Sequence, residues 1–152
     1  MEGKYYSSER SIQLLISLLK QHNIKKIVAS PGATNLSFVA SLQQDSWFEM
    51  YSSVDERSAA YIACGMAAEL GEPVVLTCTG ATASRNYISG LTEAYYRKLP
   101  VLAVTSSQDI SRIGHHIAQV IDRRVIQNDI ALLSEYIPVS YTHLRAHETV
   151  LD

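Results

Sequence analysis

The chain has 152 residues, 13 Lys and Arg against 15 Asp and Glu, a formal charge of −2 with His neutral, and 47% hydrophobic residues. This suits one soluble globular domain, able to bury roughly 68–70% of its unfolded surface; it argues against disorder and offers no basic excess for nucleic acid or a membrane surface. No apolar run reaches the roughly 20 residues that span a bilayer, and residues 1–10 are polar with no signal core, so a cytoplasmic location is expected.

Residues 11–22 place Ile12, Leu15, Ile16 and Leu19 on one helical face. Residues 24–30 read as a short strand ending at Pro31-Gly32. Residues 34–44 predict a helix whose apolar set is Leu36, Val39, Ala40 and Leu42, and residues 48–52 a second strand. An alanine-rich helix is predicted over 55–70, stopped by Gly71 and Pro73. Residues 74–79 form a nearly continuous apolar strand, 82–97 a helix, and 101–105 a fourth strand. Strands alternating with helices of this length indicate βαβ units. Continuous apolar strands indicate a parallel sheet covered on both faces. The predicted fold is therefore α/β, a three-layer doubly wound parallel sheet with right-handed crossovers. Val28, Val75, Leu76 and Val104 are the predicted core of the sheet. Cys64 and Cys78 lack metal-ligand spacing and are expected to be buried thiols rather than a disulfide.

In such sheets ligands sit past the carboxyl ends of the strands, which selects four loops: 30–35, 52–57, 79–86 and 105–119. The first, Ser-Pro-Gly-Ala-Thr-Asn, is neither a Walker A motif nor GxGxxG; it can be a plain turn with Thr34 or Asn35 near the N-cap. The second admits two readings. Ser53 and Glu56 fit a capping box, Ser at the N-cap and Glu at N3. Glu56 can equally be a proton-handling carboxylate at the mouth of the sheet. The helix that follows is rich in small residues, and Ala60, Cys64 and Ala67 can line a stripe open to a second subunit. The third loop has Gly, Thr and Ser directly after a buried strand, a weak phosphate signal. In the fourth, His115 and His116 could shuttle protons or bind metal. Sequence neighbours point in different directions and no third ligand is near, so no metal site is expected.

Taken in order, SPGATN, VDERSAAYIACGMA and GEPVVLTCTGATASRNYISGLTEAYYRKLPVLAVTSSQ resemble the N-terminal pyrimidine-binding (PYR) domain of thiamine-diphosphate-dependent enzymes. That group includes acetolactate synthase, SEPHCHC synthase and the 2-oxo acid decarboxylases. The resemblance runs from about residue 8 to 139. It implies that Glu56 hydrogen-bonds N1′ of the cofactor's aminopyrimidine, favouring the imino tautomer that takes the thiazolium C2 proton. It implies cofactor contacts at Pro31, Gly32, Gly80, Ala81, Thr82 and Asn86, and substrate contacts at Gln119, His115 and His116. The substrate class it implies is a 2-oxo acid, decarboxylated or carboligated. Members carry Arg or Gly-Gly after the Pro-Gly, where this chain has Ala33-Thr34.

The resemblance also places the diphosphate and Mg²⁺ on a separate domain, bearing a Gly-Asp-Gly motif that this sequence lacks. The implied partner is that domain on a second subunit of a homo-oligomer. Residues 1–138 are accordingly expected to be a truncated PYR-type domain, inactive alone. Residues 139–152 break from the pattern; despite His143, His147 and Glu148 they are set aside as a suspected non-native tail. The alternative is a non-catalytic regulatory or partner module of the same fold.

Overall fold

A computed structural model describes residues 6–122 and 126–137. The segment 139–152, with its two histidines, lies outside the described residues. The elements are α1 (Arg10–Gln21), β1 (Lys26–Ala29), α2 (Leu36–Gln43), β2 (Glu49–Ser52), α3 (Glu56–Leu70), β3 (Val74–Cys78), α4 (Thr82–Asn86), α5 (Ile88–Arg97) and β4 (Val101–Thr105). Short 3₁₀ turns occupy Ala33–Asn35 and Ile110–Arg112.

The four strands among the described residues form one parallel sheet in the order β2-β1-β3-β4. α1 and α2 pack on one face with Ile27, Phe48 and Val75. α3 and α5 pack on the other with Val28, Val74, Leu76 and Cys78. The three-layer expectation is met. β3 lies between two strands and two helix layers, and all five of its residues are buried. Each large apolar side chain buried there contributes about 1.5–3 kcal/mol of transfer free energy.

Among the described residues β4 is an edge strand, as β2 is on the other side. It has one neighbour, and Leu102 and Ala103 remain exposed. Val104 is half-buried rather than buried as predicted, because the edge lacks the cover that β1 and β3 receive. The apolar face of α2 also differs. Phe38, Val39 and Leu42 point inward while Leu36 is exposed. The single helix predicted over 82–97 is interrupted at Tyr87, whose ring is buried and whose hydroxyl meets Thr105 on β4.

The small residues of α3 do not form an open stripe. Ala59, Ala60, Ala63, Cys64 and Ala67 are all buried within the chain. They let α5 approach: a Cβ built at Gly90 would lie 2.4 Å from the Ala60 Cβ. The Cys64 thiol donates to the Gly90 carbonyl at 3.2 Å, and burial pushes that thiol up. Both cysteines are buried thiols outside any disulfide. The solvent side of α3 carries Tyr61, Ile62, Gly65 and Ala68 instead. The helix ends at Gly71, left-handed at φ 66, whose N–H reaches the Ala67 carbonyl.

Candidate functional site at the carboxyl edge of the sheet

All strands being parallel, the four loops selected from the sequence emerge along one edge. They are tied together. The Ser30 hydroxyl donates to the Ser53 carbonyl at 2.7 Å, joining the loops after β1 and β2. Thr34 Oγ1 and Ser106 Oγ lie 2.7 Å apart, joining the first and fourth. Gly32 sits so close to the loop after β3 that a Cβ there would be 2.4 Å from Thr79 Cγ2.

Asn35 organises the first loop from below. It is buried; its Oδ1 accepts from the Gly32 N–H at 2.8 Å and its Nδ2 donates to the Ser30 carbonyl at 3.1 Å. It precedes α2 but its side chain does not cap that helix. Leaving the buried Asn35 amide or the Ser30 carbonyl unpaired would cost about 1–3 kcal/mol.

At the second loop the capping box does not form. The helix starts at Glu56, so Glu56 is its first residue and not its third, and the N-cap is Asp55. The Asp55 carboxylate accepts from the Ser58 hydroxyl at 2.7 Å and the Ser58 backbone N–H at 2.8 Å. Those two donors, the hydroxyl foremost, hold the Asp55 carboxyl below the usual range. Asp55 thus does the capping that the sequence assigned to Ser53 and Glu56. The signal was there to read: Asp followed three residues later by Ser. Ser53 instead donates its hydroxyl to the Asp55 carbonyl at 3.1 Å.

Relieved of that task, Glu56 is half-buried, and its Oε2 accepts from Asn86 Nδ2 at 2.9 Å. Among the described residues its other oxygen has no partner. The third loop therefore brings Asn86 to the second. In the same loop Gly80 and Ala81 are buried and Thr82 is exposed. Ala81 adopts φ 52, ψ −115, and its carbonyl is held by the Ser84 hydroxyl at 2.8 Å.

The structure does not bring the fourth loop's candidates to this cluster. His115, His116 and Gln119 are exposed, and their side chains make no hydrogen bond to the other loops. Gly114, His116 and Gln119 all have positive φ, so that segment turns repeatedly. Among the described residues no group of three or more His, Cys, Asp or Glu could hold a metal ion. No helix among them is long and apolar enough to cross a membrane.

Residues 10–126 match the family described as thiamine pyrophosphate enzyme, N-terminal TPP binding domain. A 2-succinyl-5-enolpyruvyl-6-hydroxy-3-cyclohexene-1-carboxylate synthase of Porphyromonas gingivalis is 38% identical over 116 residues, covering 76% of this chain and 20% of its own. One from Phocaeicola vulgatus is 31% identical over 137 residues, covering 90% and 25%. Among solved structures, benzoylformate decarboxylase from Polynucleobacter necessarius is similar with a TM-score of 0.65 at 22% identity, over 72% of this chain and 20% of that one. At that identity the likeness concerns the fold alone. The chain spans about a fifth to a quarter of the length of these relatives.

Proposed function

The chain belongs to the thiamine pyrophosphate enzyme N-terminal TPP-binding domain family, and from that premise we propose that it supplies the pyrimidine-binding part of an enzyme acting on a 2-oxo acid. The observation that carries this reading is Glu56: a carboxylate at the carboxyl edge, free of capping, with one oxygen held and the other open. The donor set fits an aminopyrimidine. A carboxyl group can share a proton with a ring nitrogen, and Gly32, Gly80 and Ala81 bring little side-chain bulk to the same edge. Thiamine diphosphate, when bound, supplies the electron sink for chemistry at the 2-oxo carbon.

Glu56 holds a proton at N1′ of the pyrimidine. Pro31, Gly32, Gly80, Ala81 and Thr82 shape the edge around the ring. Gln119, His115 and His116 are assigned to the substrate side. Residues 1–138 constitute this domain, and the diphosphate and Mg²⁺ belong to a separate domain from a second subunit. The relatives' name, that of a synthase, favours carboligation over simple release of carbon dioxide.

Glu56→Gln tests the assignment in the enzyme that joins this chain to its diphosphate-binding domain. The amide keeps the hydrogen bond from Asn86 but cannot share an acid proton. Loss of such a group costs about 10²–10⁴ in rate, so hydrogen–deuterium exchange at the cofactor's C2 should fall by that factor with melting little changed. Exchange at the wild-type rate would leave the non-catalytic module as the better account.

A further inference from the structure

We infer that Asn86 is the positioning residue for Glu56, acting through that carboxylate rather than on the cofactor. The inference rests on the reading of Glu56 given above. Glu56 is the first residue of α3, a side chain with three rotatable bonds at a helix end. Among the described residues Asn86 supplies its only hydrogen bond, Nδ2 to Oε2 at 2.9 Å.

Asn86 is well placed for this. It is the last residue of α4, and the next residue, Tyr87, is buried and tied through its hydroxyl to Thr105. The amide therefore stands on a short side chain beside an anchored backbone. It donates and carries no charge. An arginine or lysine there would pair with the carboxylate and hold it ionised; the amide fixes one oxygen and leaves the other to take or give a proton. Misplacement of a reacting group by about 1 Å can cost roughly 10²-fold in rate, which sets the scale of what such a bond protects.

The test has two arms. In the 152-residue chain, the Asn86 side-chain amide protons, observed by ¹⁵N NMR, should be shifted and exchange slowly, and Glu56→Ala should return them to free-amide values. Identical signals in both chains would overturn the inference. In the enzyme joined to its diphosphate-binding domain, Asn86→Ala should slow C2 exchange roughly 10- to 100-fold, with cofactor Kd within about 3-fold of wild type. Asn86→Asp keeps the shape but removes the donor, so it should lose at least as much; wild-type exchange in Asn86→Asp would mean that shape alone matters and would overturn the inference. A loss confined to cofactor affinity would make Asn86 a cofactor contact instead. Slow exchange in Glu56→Gln with normal exchange in Asn86→Ala would sink this inference alone, whereas normal exchange in Glu56→Gln would sink the functional reading beneath it.

Discussion

α3 and α4 both begin at the carboxyl edge of the same sheet, yet their first turns are built in opposite ways. α3 opens on Asp55, in extended geometry, with its carboxylate satisfied twice by Ser58. α4 opens on Ala81, at φ 52, ψ −115, with no side chain capping the turn. A non-glycine residue held there stores about 1–3 kcal/mol. The relaxed terminus presents the carboxylate; the amide that holds it stands at the far end of the short helix that follows the strained one. The difference teaches where precision is located: the acid sits on an ordinary helix start, and its orientation depends on a turn held by Tyr87 and Ser84.

Several substitutions probe that contrast, and the Glu56→Gln rate loss given above is the largest effect expected. Next is Gly90→Ala. It wedges a methyl group against Ala60, and overpacking of this kind costs about 1–3 kcal/mol. Urea unfolding should show a lower midpoint with an unchanged slope; an unchanged midpoint would mean that α5 yields and that α3 is not the fixed reference assumed here. Ala81→Gly acts in the other direction. It releases the strained φ but enlarges the unfolded ensemble by about 0.4–1 kcal/mol, so a net gain near 1 kcal/mol is expected. A loss of stability in the same unfolding assay would erase the contrast between the two termini.

Asp55→Asn should change least. Asparagine also caps helices well, so stability near neutral pH should hardly move. The Ser58 hydroxyl and N–H hold the folded Asp55 carboxyl below the usual carboxylate range. Its ionised form therefore adds stability above the unfolded pKa, and that contribution fades as pH falls through the folded pKa. Acid titration should therefore separate the two, the wild type falling below the variant at the acid end; parallel curves would show that Asp55 does not carry this linkage.

Much of this architecture was legible in the sequence because it depends on pattern. The apolar run of β3, the helical pattern of α3 and the Gly71-Pro73 stop are local signals, and the sequence shows each of them. What escaped depended on where one element meets another. The small residues of α3 permit close approach by any backbone, and periodicity cannot say whether that backbone is α5 or another subunit. Val104 looks like core until the strand order puts it at an edge. At the candidate site, Glu56 and Asn86 were both singled out, but 30 residues separate them. Their pairing follows from the fold bringing two loops together, and no spacing rule encodes it. The capping assignment failed by helix register alone: a start at Glu56 moves that residue from the third helical position to the first.

The strand order carries a consequence for how the chain assembles. From β1 the chain steps to one side to lay down β2, then crosses back over β1 to begin β3. The β1–β3 ladder therefore closes a loop about twice as long as the β1–β2 ladder. Loop-closure entropy grows only logarithmically, so that doubling costs about 0.6 kcal/mol. Reversing the direction of winding is a small thermodynamic expense beside the burial it permits. Its effect falls on timing: no two neighbouring strands can pair before an intervening helical segment has been spanned, and non-local closures of this kind slow folding. The contact between residues 56 and 86 spans 30 residues and belongs to the same class of non-local closures.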